Sequence, residues 1–451
     1  MREVLRQRRQ KLAEYMAGPA VLWAGSSPSR NFRANAYPFR ASSHFLYFAG
    51  LAIEHAAIRL EDGRLTLFMD DPTPADILWH GLMPTRQQVA VEIGADDAFP
   101  LAALSEKAGD AATVGLVNEA ERSHQSSILN RAIAPANQPQ GIDLPLAQAI
   151  VELRLCHDEW ALAELRAAIA ITTEAHQAGM AATRKANHES DIRAAIEQVM
   201  LAHNVPPAYS SIVTIHGEVL HNSHYHHALQ RGDLLLADAG AESSRSWASD
   251  VTRTWPISGK FSSTQRDIYE VVLTAHDRCI ALAGPGVEYR DLHLAAAEAI
   301  AQGLVGLGIL RGDPKELVDM DAHALFFPHG VGHLLGLDVH DMEDLGDLAG
   351  YETGRTRSDR FGLGYLRLDR PLRPGMVVTI EPGFYQVPAL LNDPARCHTY
   401  QDIVDWDRLS QFADVRGIRI EDDVLITETG CEVLTAAIPT HPDKVQQWVQ
   451  Q

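Results

Sequence analysis

The chain has 451 residues, of which 46% are hydrophobic and 22% charged, an ordinary balance for a globular protein with room for more than one core. Its formal charge of −20 argues against nucleic acid and anionic membrane surfaces as partners, and no uninterrupted apolar run approaches the roughly 18 residues of a membrane span. Cys156, Cys279, Cys397 and Cys431 are scattered, without a CxxC pair, which suits a reducing cytoplasm better than a disulfide framework.

The first dozen residues are basic and helix-prone, with no apolar stretch or cleavage site behind them, so they do not form a secretory signal. Val4, Leu5, Leu12 and Met16 instead predict a packed first helix. Residues 19–23 and 64–69 read as short strands, with Glu61, Asp62 and Gly63 as a hairpin turn ahead of the second. The stretch 138–145 is punctuated like a linker, dividing a smaller mixed α/β domain over 1–150 from a larger domain over 151–451. Asp158 is a candidate N-cap for a long helix reaching into the 180s, and further helices are predicted over 188–203, 264–283, 291–308 and 314–324. Short apolar strands fall between and after them, giving an α+β arrangement. Residues 341–370 lack periodicity and read as a loop near a site, and 386–416 as an insertion.

Chemistry concentrates in the second domain. Asp238 ends the run from Gly232 and is followed two residues later by Gly240; Glu381 ends the run from Gly375 and is followed two residues later by Gly383. A turn glycine, an apolar run and a terminal carboxylate describe a buried strand that delivers one acid to a cavity. Finding the device twice suggests two related halves facing one site. Strand-like segments around Asp250 and Glu421 supply two more carboxylates, and His333 an imidazole. Four carboxylates in one cavity need protons or cations to neutralise them. Oxygen-rich ligation with one imidazole favours two divalent ions, foremost Mn²⁺, with Co²⁺ or Zn²⁺ as alternatives. Two such ions roughly 3.5–4 Å apart can generate a hydroxide nucleophile near neutral pH and polarise a carbonyl, which is hydrolytic chemistry.

The motif His329-Gly-Val-Gly-His333, running on to His340-Asp341, joins Thr379-Ile-Glu381-Pro-Gly383, Arg419-Ile-Glu421-Asp-Asp423 and Ser249-Asp250-Val-Thr-Arg253. Together they resemble the pita-bread metallopeptidases, in the branch of prolidase and aminopeptidase P, over nearly the whole chain. The resemblance implies a C-terminal pita-bread domain behind an aminopeptidase P-like N-terminal domain, two metals on Asp238, Asp250, His333, Glu381 and Glu421, and His221, His329 and His340 around the substrate. It further implies hydrolysis of Xaa-Pro bonds in proline-containing peptides and a homodimer, with Trp79 at the rim of the partner's site. One departure stands out: Asp238 and Asp250 are 12 apart (250 − 238), one more than the family spacing. A slip inside a strand would turn Asp250 to the wrong face, so the extra residue is expected in the turn from Ser243 to Ser246.

Glu381 is the candidate general acid/base. Arg419 lies two residues before Glu421, on the same strand face, where it can orient an acid of the site. His221 and His340 are candidates for hydrogen-bonding the scissile carbonyl. Arg367 lies 14 residues before Glu381 (381 − 367) and resembles the arginine that clamps a dipeptide's carboxylate in eukaryotic-type prolidases. His224, His226 and His227 have an irregular spacing that suits solvent exposure rather than ligation. The leading expectation is an Xaa-Pro dipeptidase, with an aminopeptidase P acting on longer peptides as the alternative. A catalytically silent binding protein or a metal-free creatinase-like hydrolase would not need all five ligands. No HExxH or GxSxG motif supports another hydrolase class.

Overall fold

The computed structural model describes all residues, Met1–Gln451, and they group into two compact units. The first comprises Met1–Leu155 together with Met342–Ala349. Its sheet has the order β4-β3-β2-β1-β5, formed by β1 (Ala20–Trp23), β2 (Ala57–Glu61), β3 (Arg64–Phe68), β4 (Asp97–Phe99) and β5 (Ala112–Thr113). The central pairs are antiparallel and the outer two parallel. Asp62 and Gly63 turn the β2–β3 hairpin with φ of 49° and 76°, the type I′ geometry that an Asp-Gly pair favours.

The first helix, Arg2–Tyr15, buries Leu5 and Leu12. It also buries Arg8 and Arg9, which an amphipathic pattern does not reveal. Arg8 stacks its guanidinium 4.2 Å over the Tyr47 ring and donates to the Tyr47 carbonyl. The helix Asp143–Arg154 begins inside the segment that reads as a linker. Pro145 sits in its first turn, where no backbone donor is needed, and Asp143 is fixed by Arg131 and by the Thr113 amide.

The second unit comprises Cys156–Asp341 and Gly350–Gln451. Long helices at Glu159–Ala182, Glu189–Ala202, Ser263–Leu282 and Tyr289–Gly306 are N-capped or lined with apolar residues as their sequences predict. The helix expected over 314–324 stops at Asp319, because Asp321 takes φ 57° and the chain restarts as a short 3₁₀ turn, Ala322–Leu325. The segment 386–416, read as an insertion, contains the short helices Pro388–Leu391, Pro394–Thr399 and Trp406–Ser410. No helix in the chain is long and apolar enough to cross a membrane.

Three small sheets carry the site: β6 (Ile212–Thr214), β7 (Leu234–Asp238) and β8 (Thr252–Pro256); β9 (Val377–Ile380), β12 (Asp422–Ile426) and β13 (Cys431–Val433); and the pair β10 (Gly383–Tyr385) with β11 (Gly417–Arg419). Two antiparallel ladders dominate. In the first, Leu234 faces Pro256 and Asp238 faces Thr252. The same register continues outward through the Ala239 amide to the Val251 carbonyl, Ser249 to Ala241, and Ser243 to Trp247. In the second, Val377 faces Leu425, Ile380 faces Asp422 and Gly383 faces Arg419, so β9–β10 and β11–β12 are one long hairpin with a single register. The two ladders meet where the Glu421 amide donates to the Thr252 carbonyl.

Candidate active site

Register explains how distant acids converge. Asp238 is opposite Thr252, and Asp250 is two residues from Thr252, so period-two alternation puts both aspartates on one face. Gly240 lies opposite Asp250, where a Cβ would sit 1.7 Å from the Ser249 carbonyl oxygen; only glycine fits. The residue count between the aspartates is absorbed at the tip, where Ser246 adopts φ 66° and its amide bonds the Ser243 carbonyl. In the second ladder Glu381 and Glu421 fall opposite each other, one step beyond the Ile380–Asp422 pair, on the same face as Arg419 and Gly383.

His333 arrives on a third segment laid along β9. The Thr379 amide donates to the His333 carbonyl and the Glu381 amide to the Val331 carbonyl. Gly332, with φ 153°, allows this approach: a Cβ there would lie 2.3 Å from both the Thr379 carbonyl oxygen and the Tyr289 hydroxyl. His333 Nδ1 lies 3.0 Å from the Leu334 carbonyl. A carbonyl only accepts, so the ring proton is on Nδ1 and the Nε2 lone pair faces outward. Nε2 then sits 3.4 Å from Asp250 Oδ2 and 3.7 Å from Glu381 Oε1. A lone pair aimed at two carboxylates is stable only with a proton or a cation between them. Ligand atoms of Asp250, His333 and Glu421 all lie within 4.8 Å of one another, and all three residues are buried. This donor set fits a divalent metal ion.

The acids repel one another accordingly. Burial, reinforced by Asp238, pushes the Asp250 carboxyl up to about 8, and burial lifts Glu381 to about 7, with His333 and Arg419 acting in the opposite direction. Glu421 is raised far above the usual carboxylate range by burial and by Asp250, Glu381 and Asp238.

A second ring of hydrogen bonds fixes the acids. The Tyr209 hydroxyl is 2.5 Å from both Asp238 Oδ1 and Asp250 Oδ1. Arg419 donates to Asp238 Oδ2 at 2.6 Å, to Thr252 Oγ1 at 2.9 Å and to the Tyr385 hydroxyl at 3.0 Å, and lies 3.9 Å from Glu421. The Thr252 hydroxyl in turn donates a hydrogen bond to Glu421 Oε2 at 2.6 Å. Thr252 and Tyr385 are not singled out by the sequence, although strand alternation carries a signal for them, each lying two residues beyond Asp250 or Gly383. Tyr209 precedes β6 in no recognisable pattern, and nothing in the sequence signals it.

The remaining predicted residues surround this centre. His340 packs edge-on against His333 with ring centroids 4.3 Å apart. His329 bonds the Tyr385 hydroxyl through Nε2 at 2.9 Å and lies 3.8 Å from Glu381, with burial holding its imidazole down at about 3. His221 is on an exposed loop; partial burial and the charge of Arg419 lower its pKa, and Asp238, Arg367 and His340 are near enough to act on it too. Arg367 therefore reaches the same neighbourhood. His224 and His226 are exposed, while His227 is partly buried against Glu189.

The sequence profile of metallopeptidase family M24 matches residues 163–428, and that of the aminopeptidase P N-terminal domain matches residues 5–115. The chain belongs to metallopeptidase family M24. It is 33% identical over 405 residues to a probable Xaa-Pro aminopeptidase of Tuber melanosporum, covering 88% of this chain and 84% of that one. A probable Xaa-Pro aminopeptidase of Talaromyces stipitatus is 31% identical, with 96% and 94% covered. Among solved structures, Pseudomonas aeruginosa aminopeptidase PepP superposes with a TM-score of 0.82 at 28% identity, covering 100% of this chain and 98% of that one. Zn-substituted E. coli aminopeptidase P in complex with product gives 0.80 at 29% identity, with the same coverage.

Proposed function

We propose that the protein is an Xaa-Pro aminopeptidase, releasing the N-terminal residue from peptides with proline in second place. The carrying observation is the buried convergence of the His333 lone pair with the Asp250, Glu381 and Glu421 carboxylates. In this reading Asp238, Asp250, His333, Glu381 and Glu421 hold two divalent ions, with Mn²⁺ favoured by the oxygen-rich donor set. Bound there, the ions supply Lewis acidity and make water a nucleophile near neutral pH. Glu381 takes the proton of the attacking water and hands it to the leaving proline nitrogen. His221 and His340 donate to the scissile carbonyl as charge develops on its oxygen, and His329 lines the space for the proline ring. Arg419 and Tyr209 keep the aspartates aimed.

The sequence by itself leans towards a dipeptidase. The relatives named above are probable Xaa-Pro aminopeptidases and the solved neighbours are aminopeptidases, and this supports the aminopeptidase reading at about 30% identity. Arg367, within electrostatic reach of His221, supports dipeptide cleavage as a second activity, since a guanidinium fork suits a free carboxylate. Manganese-loaded protein should cleave an Xaa-Pro tripeptide with a higher kcat/KM than Gly-Pro. A reversed preference, with Arg367→Ala losing about 1.5–3 kcal/mol on the dipeptide alone, would make the enzyme a dipeptidase.

The active form in this reading is a homodimer. Trp79 is 78% exposed on the helix Pro74–His80, which buries none of its residues. A monomeric mass with full activity would refute this. Four free cysteines support a reducing, cytoplasmic setting.

A further inference from the structure

The loop bearing His221 is closed by one buried carboxylate. Glu189, at the start of the helix Glu189–Ala202, has no exposed surface. Its Oε1 accepts from the Ile215 amide at 2.8 Å and from the Thr214 hydroxyl at 2.9 Å, where the loop leaves β6. Its Oε2 accepts from His227 Nδ1 at 2.8 Å and from the His227 amide at 3.3 Å, where the loop returns. Both ends of the segment 215–227 are thus tied to a single side chain.

The Thr214 hydroxyl has one proton and two lone pairs. Glu189 takes the proton. The lone pairs accept from Asn222 Nδ2 at 2.8 Å and from the His216 amide at 2.9 Å. Asn222 is buried, adjoins His221 in the chain, and uses its Oδ1 to hold the His224 amide at 2.9 Å. Every hydrogen-bonding site of the threonine is occupied, and the direction of the chain from Asn222 through Thr214 to Glu189 is set by the acid, which can only accept.

We propose that Glu189, Thr214 and Asn222 form a positioning relay that places the His221 imidazole for its hydrogen bond to the substrate carbonyl. The proposal rests on the substrate role given to His221 above. A relay acting through hydrogen bonds depends on the hydroxyl of Thr214, whereas a packing role depends on its shape.

The test uses full-length, manganese-loaded protein and a proline-containing tripeptide, with metal content measured in each variant. Thr214→Val keeps the shape and removes the hydroxyl; Thr214→Ser keeps the hydroxyl and removes a methyl; Asn222→Leu cuts the far end. Each is also combined with His221→Ala. Thr214→Val and Asn222→Leu should each lower kcat/KM by about 10-fold, Thr214→Ser should stay within about twofold of the wild type, and metal content should be unchanged. On the His221→Ala background neither change should cost anything further, since coupled residues are not additive. Wild-type rates for Thr214→Val, equal damage from Ser and Val, or fully additive losses would overturn the relay alone. A wild-type rate for His221→Ala itself would overturn the role of His221 and the relay with it.

Discussion

Replacing Arg253 by methionine should destabilise the C-terminal unit more than almost any other single change outside the acid cluster. The guanidinium is fully buried and its five N–H groups meet five acceptors: the carbonyls of Thr252, Glu421, Ile438 and Pro439, and Asp422 Oδ1 at 2.7 Å. Asp422 is itself buried. Burial alone would raise its pKa, but Arg253 and His276 outweigh this and hold the carboxyl well below the ordinary range. Methionine fills most of the volume yet leaves Asp422 with only His276 at 3.0 Å and Thr435 at 2.5 Å as polar partners. Breaking one side of a buried ion pair costs about 3–5 kcal/mol, and at roughly 2–4 °C per kcal/mol for a unit of this size the melting temperature should fall by about 10 °C. Adding Asp422→Asn should recover part of the loss by removing the stranded charge. The assay is thermal unfolding of the metal-loaded protein followed by fluorescence of the buried Trp247 and Trp255. A drop below about 2 °C, or a double variant less stable than the sum of the singles, would refute the reasoning.

Chelation should abolish hydrolysis of Xaa-Pro substrates and Mn²⁺ or Co²⁺ should restore it; full activity in protein verified as metal-free by elemental analysis would sink the hydrolytic reading. Glu381→Gln keeps the shape and removes the proton acceptor, so kcat should fall by at least about 100-fold with the melting temperature held, and near-normal turnover would reassign the role. Burial holds His293 down at about 4 and His323 at about 3. Because the unfolded chain binds protons that the folded one refuses, these groups contribute stability that is complete above about pH 6.5 and is lost as pH falls through that value towards their folded pKa, by roughly 3 kcal/mol for His293 and roughly 5 kcal/mol for His323 at the limit. Melting temperatures should therefore drop between about pH 7 and pH 5, and the slope should be shallower in His293→Phe; an unchanged slope would contradict the assignment.

The pairing of acids was legible because strand period and glycine placement are local rules. Gly240 and Gly383 mark where a side chain would collide, and a carboxylate two residues earlier must then share the crowded face. The breaks were not legible. Asp321 stops a helix whose apolar pattern continues, since a positive φ has no periodic signature. Arg8 and Arg9 look like surface residues until Tyr47, Phe48 and Ile93 supply the carbonyls that receive them. Tyr209 and Glu189 act through partners 25 residues or more away in the chain, and no local pattern links the two ends.

The tip beyond Ser243 and Trp247 frees the interval between the two aspartates from the chemistry they serve. All pairing from Leu234 to Ser243 is complete before the chain turns, so lengthening or shortening the tip changes residue numbers and leaves both carboxylates where they are. Spacing between these acids is therefore a poor yardstick for sorting kindred chains by activity. The exposed Ser244 is equally a place to graft an epitope or a reporter peptide without disturbing turnover, whereas a single residue added between Asp250 and Thr252 would turn Asp250 away from its partners.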